Sequence, residues 1–344
     1  MKKYSRKYIS PVRQLLCLLL LPLTLGGCLF EEPELTSDGE LGIDPTEVSI
    51  TADITLDMKL TELETADLRA RTAGEGNDAY RHRFIVQAYM DDMATIRQVV
   101  YEDVNPDRTR LSVPVSLKLH ARNYRLVVWA DYVKADSEDD LFYNTEILDP
   151  LTGEEPYRAN SEYKDAFHAV QELDLTGYRD QWNAKVPVKI ELARPTARYE
   201  LVATDVAAFR KVHAGAEGKF TARVKYSYYL TVGFDALNAE PCHTLMYMSY
   251  NKTFDLPAET TDAFTIGIDY IFTGKEEKEI PIEVEIVDEQ GVTVARSVLA
   301  VPCMKGKNTV IRGNFLTADP ATADDGIGIN PGFDEEVDIE VGVI

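Results

Sequence analysis

Ser112-Val113-Pro114-Val115-Ser116-Leu117-Lys118-Leu119 alternates without a break between a branched apolar residue and a small polar, cyclic or basic one. Successive side chains of an extended chain point to opposite faces, so this stretch has one dry face and one wet face. The same period returns where Val186, Val188, Ile190 and Leu192 interleave with Pro187, Lys189 and Glu191. It returns again where Ile280, Ile282, Val284 and Ile286 interleave with Pro281, Glu283 and Glu285. One-sided strands of this kind belong to antiparallel sheets packed in pairs. Further strand-like runs cover 83–90, 124–133, 224–233, 244–250, 264–272, 292–301 and 309–316, and Asp288-Glu289-Gln290-Gly291 joins two of them as a hairpin loop.

Helix is scarce. Asp205 is placed to cap a short segment in which Val206, Phe209 and Val212 share a face, and Ser161 another with Tyr163, Phe167 and Val170. Both read as connectors laid over a sheet. Strands without long helices between them predict an all-β chain, two tandem antiparallel β-sandwiches with a few short helices. The first sandwich is expected over 47–195 and the second over 196–344, with the turn set by Pro195 after Arg194. Residues 134–182, polar and dotted with Tyr143, Tyr157 and Tyr163, are expected to hold the first sandwich's longest excursions. No repeat of 20–50 residues occurs, although sandwiches of similar size are compatible with a distant duplication.

Ahead of the strands, residues 1–27 have the three parts of a secretory signal. Lys2, Lys3, Arg6, Lys7 and Arg13 precede an apolar run over 15–25 that is broken only by Pro22 and Thr24. As helix that run covers roughly 16 Å, about half of a bilayer's hydrocarbon core. Leu25-Gly26-Gly27-Cys28 at its end reads as a lipobox: cleavage precedes Cys28, and its thiol takes the lipid, such as palmitate. An ordinary cleaved signal with an incidental cysteine is the blander alternative. Several acyl chains on one residue hold a protein stably, so Cys28 suffices as the anchor. Residues 28–46, rich in Glu, Asp, Gly and Pro, then form an acidic tether. Cys17 leaves with the leader.

The formal charge of the 344 residues is −22, and the leader holds five basic residues and no acidic one, so the chain from Cys28 carries about −27. Such a surface repels phosphate backbones, which excludes nucleic acid as a partner class. Cys242 and Cys303 either pair with each other in an oxidising compartment or remain two separate buried thiols. Neither lies in a Cys-x-x-Cys motif.

Motifs for chemistry are few. His82, His120, His168, His213 and His243 are far apart, and none has metal-ligand spacing. Nucleophile elbow, phosphate loop and dinucleotide fingerprint are all missing, so no enzyme, cofactor or metal site is expected. Asp91-Asp92 and Asp139-Asp140 have the residue type of glycosidase carboxylates but read better as solvated loops in so acidic a chain. Asp324-Asp325 and Asp334-Glu335-Glu336 flank a Gly-rich turn without the regular ligand spacing of a calcium loop. Trp129 is a sugar platform or, in its dense apolar strand, a core residue; Trp182 is the other tryptophan. Near the C-terminus Val337, Ile339, Val341 and Val343 alternate with polar residues or glycine. Such a strand either closes its own sandwich or adds to the open edge of another subunit.

Three segments in series carry a resemblance. They are Asn123-Tyr124-Arg125-Leu126-Val127-Val128-Trp129-Ala130-Asp131-Tyr132; Leu192-Ala193-Arg194-Pro195-Thr196-Ala197-Arg198 with Thr204-Asp205; and Val301-Pro302 with Asn308-Thr309-Val310-Ile311-Arg312-Gly313-Asn314-Phe315-Leu316-Thr317. Together with the lipobox they resemble the fimbrillin-associated anchor and tip lipoproteins of type V fimbriae, over roughly residues 80–340. Glu31-Glu32 after Cys28 resembles a surface-export signal of such lipoproteins. The resemblance implies transthyretin-like, Greek-key sandwiches, location at the outer membrane on the cell surface, and fimbrial subunit proteins as partners bound by strand addition. Cys303-Met304-Lys305-Gly306-Lys307 departs from the family pattern after the Val-Pro pair. Two other readings stay open: a glycan-binding surface lipoprotein, and a polymerising stalk pilin matured by a cut after Arg69 or Arg71, before Thr72-Ala73-Gly74.

Overall fold

The structure is a computed structural model that describes residues 46–58 and 80–320, apart from 106, 154 and 215–217. It is all-β. The first sandwich uses β1 (Glu47–Asp57), β2 (Tyr80–Met90), β3 (Met93–Asp103), β4 (Arg110–His120) and β5 (Asn123–Lys134). Short β6 (Tyr143–Asn144) and β7 (Leu151–Gly153) leave it, and β8 (Phe167–Asp174) and β9 (Ala184–Leu192) complete it. Its two sheets have the orders β4-β1-β9 and β3-β2-β5-β8.

The second sandwich opens with β10 (Thr196–Ala203), a short helix α1 (Val206–Val212) and β11 (Phe220–Tyr226). After β12 (Leu230–Asp235) and β13 (Glu240–Leu245) come β14 (Ser249–Phe254), β15 (Phe264–Phe272), β16 (Lys278–Val287), β17 (Thr293–Cys303) and β18 (Asn308–Gly313). Its sheets are β15-β10-β18 and β14-β11-β16-β17. With β6–β7 and β12–β13 set aside, the two sandwiches have the same connectivity, as a duplication would produce. In each, the opening strand is the middle of a three-stranded sheet. The purely antiparallel expectation needs one correction here, because β1 pairs with β9, and β10 with β18, in parallel. The chain reaches those last strands by crossing from the opposite sheet, and only a tight hairpin forces neighbours to run antiparallel.

Alternation does the work that the sequence assigns to it. Along β4 the apolar side chains from Leu111 to Leu119 are buried and those between them exposed. They pack on Val48, Ile50, Ala52, Ile54 and Leu56 of β1. Each such burial is worth about 1.5–3 kcal/mol. In the second sandwich Ile280, Ile282, Val284 and Ile286 of β16 do the same against β11. The turn after β16 closes as expected: the Asp288 N–H donates to the Val292 carbonyl at 2.9 Å, and Gly291 takes φ +82°. A residue with a Cβ resists that backbone conformation.

Other strands do not have a wet face. β2, β5 and β10 are buried on both sides. On β5, Leu126, Val128 and Ala130 point into the first sandwich, while Val127 and Trp129 point away into a separate apolar cluster. That cluster lies between the two sandwiches, because Trp129 and Tyr143 meet Phe234 and Phe272 there. The excursion after β5 creates it. β6 and β7 pair with β12 and β13 in a four-stranded sheet, β13-β12-β7-β6, to which both halves of the chain contribute. The single runs expected over 224–233 and 244–250 therefore each split, where the hairpin leaves β11 and β14 for the bridging sheet. At Gly233 a Cβ would sit 2.9 Å from the Cβ of His243 and 3.1 Å from the Leu151 carbonyl oxygen, so the close approach of strands requires glycine.

Both helix expectations change. Ser161 caps only one 3-10 turn, Glu162–Lys164, its hydroxyl accepting from the Tyr163 N–H, and Phe167 and Val170 belong to β8. α1 does form after Asp205, and Val206 and Phe209 are buried, but Val212 is 73% exposed. The Asp205 carboxylate does not cap it. It accepts from the backbone N–H groups of Leu316 and Thr317, at 2.9 and 2.7 Å, and so fastens the chain beyond β18. Among the described residues no helix is long and apolar enough to cross a membrane.

Candidate interaction site

Buried charge gathers where the sandwiches meet. Arg198 of β10 is fully buried, and its guanidinium binds Glu162 at 2.7 Å, Glu200 at 3.1 Å and the Asn308 side chain at 2.7 Å. Arg194, just before β10, forms a fork with Asp165 at 2.8 Å and donates to the Met58 carbonyl, also at 2.8 Å. Arg83 of β2 pairs with Asp131 of β5 at 2.6 Å and with Asp140 at 2.5 Å. Burial pushes the Asp131 and Asp165 carboxyls above their ordinary range, and the paired guanidiniums oppose that shift.

The tightest cluster joins the excursion to β15. Lys164 Nζ lies 2.7 Å from Asp269 Oδ1 and 2.8 Å from the Tyr157 hydroxyl. The other Asp269 oxygen accepts from the hydroxyls of Tyr157 and Tyr226, and Tyr226 continues through Tyr199 to Tyr250. Burial lowers the Lys164 ammonium from its ordinary value while Asp269 holds it up. His168 on β8 sends its Nε2–H to the Ala236 carbonyl at 2.6 Å, between β12 and β13, and burial brings its pKa down to about 4. Arg198 with Glu162, Lys164 with Asp269 and His168 with Ala236 fasten one sandwich to the other, while Arg83 and Arg194 brace the first sandwich beside them.

Open backbone lies elsewhere. β1, in the middle of its sheet, is matched along its whole length, from Glu47 opposite His120 to Asp57 opposite Arg110, and in parallel from Val48 beside Ala184 to Leu56 beside Leu192. The sheet edges are β3, β4, β8, β9, β14, β15, β17 and β18, with β6 and β13 ending the bridging sheet. Proline interrupts β4, β9, β13 and β17 at Pro114, Pro187, Pro241 and Pro302, the usual protection of an edge. β3 is different. Its eleven residues, none of them proline, pair only with β2 among the described residues, and their side chains between Thr95 and Glu102 are half-buried. The absence of a clean alternation hid this strand from the sequence reading.

Cys28, Arg69, Arg71, the acidic clusters at 324–325 and 334–336, and Val337, Ile339, Val341 and Val343 lie outside the described residues. Cys242 and Cys303 are both free, so the disulfide is not formed: Cys303 is buried inside the second sandwich, while Cys242 lies on the bridging sheet opposite Gly233. Trp129 is core, fully buried; Trp182 is 57% exposed. Asp91 and Asp92 form the two-residue turn between β2 and β3 with φ of +49° and +63°, and Asp140 is held by Arg83. Among the described residues no three His, Cys, Asp or Glu side chains gather as metal ligands.

A family model of unknown function, DUF6562, matches residues 45–342. The chain belongs to that family. No curated protein matches it. Among solved structures it is similar to a candidate cell adhesion protein from Parabacteroides distasonis (13% identity, 83% of this chain and 92% of that one, TM-score 0.42). It is similar also to a candidate adhesin from Bacteroides ovatus (13%, 84% and 92%, 0.40) and to the fimbrial anchor protein Mfa2 from Porphyromonas gingivalis (12%, 78% and 90%, 0.40). For this DUF6562 chain those are likenesses of β architecture, and function does not transfer across them.

Proposed function

We propose that this chain is a non-enzymatic lipoprotein of the cell surface, held at the outer membrane through Cys28, that serves in adhesion as an anchor, tip or accessory subunit of a fimbrium. It binds fimbrial subunits by strand addition, in which backbone hydrogen bonds supply affinity and alternate side-chain pockets supply specificity. The supporting observation is β3, the longest sheet edge without a proline among the described residues. A cysteine at Gln98 carrying a short cross-linker is expected to capture a fimbrial subunit on cells, and the same cross-linker on Lys118 of proline-interrupted β4 is not. Equal capture at both positions, or none at Gln98 when fibres co-isolate, overturns strand addition at β3.

A second reading rests on β1. Arg69 and Arg71 lie between β1 and β2 in the chain. A cut there would leave β1 held by its hydrogen-bond ladders alone, and its loss would open a slot that fits a donated strand. The mass of the cell-surface form separates the two readings: a chain beginning at acylated Cys28 supports the anchor, and one beginning after Arg69 or Arg71 supports a polymerising pilin.

A further inference from the structure

β14 and β15 are edge strands of opposite sheets in the second sandwich. Residues 160–163 of the first sandwich's excursion lie over the gap between them and leave an open cleft of about 660 Å³. Small-ligand sites have this size. A peptide strand is a poor occupant, because two carbonyls of β15 are already taken. Ile268 accepts from the Asn160 N–H at 3.0 Å, and Thr265 accepts from Lys252 Nζ at 2.6 Å.

Charge argues in the same direction. Glu162 and Glu200 at the cleft are balanced by buried Arg198 beneath it and by Lys252. A balanced site in a chain of charge −22 favours neither a cation nor an anion by net attraction. The cleft offers hydrogen-bonding groups instead. The side-chain amides of Asn160 and Asn251 make no hydrogen bond among the described residues, and Lys252 and Thr253, whose hydroxyl shares one bond with that of Thr221 at 3.2 Å and keeps further capacity, line the same space. A planar amide sets a donor beside an acceptor, a Thr hydroxyl does both, and an ammonium keeps further N–H groups. Adjacent hydroxyls of a sugar ring, each both donor and acceptor, complement that set.

We propose that this cleft binds a neutral saccharide, gripped through its hydroxyls by Asn160, Asn251, Lys252 and Thr253. The site is independent of strand addition at β3 and extends the surface role to a second kind of ligand. Its test is saturation-transfer NMR on the purified full chain with maltotriose, cellotriose, xylotriose and mannotriose, and a sialylated trisaccharide as the charged control. At least one neutral trisaccharide is expected to give a signal that weakens about tenfold in Asn251→Ala and in Thr253→Val. Both positions are exposed, so the melting temperature and the capture of fimbrial subunits at Gln98 stay unchanged. Silence from every neutral sugar, binding of the sialylated sugar alone, or a signal indifferent to both variants overturns the proposal. So does protection of the cleft by an extended fimbrial peptide in place of sugar.

Discussion

Inside the second sandwich Ile280, Ile282, Val284 and Ile286 pack on other apolar side chains, whereas at the junction, where Trp129 meets Phe234 and Phe272, the charged groups of Lys164, Asp269, Arg198, Arg194 and Asp165 are buried as well. The interiors require only apolar side chains at every second position, a demand that many sequences meet. Desolvating charges at the junction returns little net stability, but removing one partner leaves the other stranded. Apolar packing thus builds each sandwich, while paired charge selects one way of joining them.

Breaking that pairing should have the largest effect. Asp269→Ala strands the Lys164 ammonium and removes the acceptor for Tyr157 and Tyr226, at an expected cost of about 3–5 kcal/mol in urea unfolding. Pairing Asp269→Leu with Lys164→Met should recover most of it, since no lone charge then stays buried. A loss below about 1 kcal/mol in the single variant would mean that the junction is not held by charge.

Truncation on either side of the comparison sharpens it. Trp129→Ala is expected to cost about 3–5 kcal/mol and Ile282→Ala about 2–5 kcal/mol, both by leaving cavities. Their locations differ more than their sizes. By hydrogen exchange, the tryptophan variant should expose the amides of β6, β7 and β12 while β16 stays protected, and the isoleucine variant should do the reverse. Uniform loss of protection in both would show that the sandwiches and the junction unfold as a single unit.

Acid should act on the junction too. Burial depresses the pKa of both His82 and His168 from 6.5 to about 4. The unfolded chain then binds more protons than the folded one between those values, so stability rises with pH across the interval. The contribution is full above about pH 6.5 and is lost as pH falls through 4, up to about 3 kcal/mol for each ring. His168→Asn keeps a donor for the Ala236 carbonyl and removes the titration, so its stability should fall less steeply between pH 6.5 and 4 than that of the parent. Parallel curves would remove His168 from the account.

How much of this the sequence disclosed follows the same division. β4, β9 and β16 were legible because a period of two is what one buried face requires. β3 was not, since its half-buried side chains erase the period. The junction was hidden for another reason: its ion pairs join residues up to 105 positions apart, as Lys164 and Asp269 are, and no local pattern encodes such a contact. The segments that carried the family resemblance nonetheless supply Asp131, Arg194, Arg198 and Asn308 to the buried polar pairs, and Arg198 reaches across the joint to Glu162. Those motifs record a structural requirement of the joint. Of the two states left open for the cysteines, the structure has them free, Cys303 in one interior and Cys242 on the bridging sheet.

The smallest effect expected is at Gly291, in the hairpin between β16 and β17, away from the joint. Its φ of +82° disfavours any residue with a Cβ, yet nothing lies within 4 Å of where that Cβ would go. Gly291→Ala therefore carries a backbone penalty and no clash, about 1 kcal/mol. Gly233, in the bridging sheet, presents the opposite case: its φ is ordinary, but a methyl group would press on His243 and Leu151. If the division between regions is real, Gly291→Ala lowers the unfolding midpoint slightly and leaves exchange in β6, β7 and β12 unchanged, because a turn that only closes a hairpin has no lever on the junction. Loosening of the bridging-sheet amides in that variant would show that strain travels from a sandwich loop to the joint, and the two regions would then have to be treated as one.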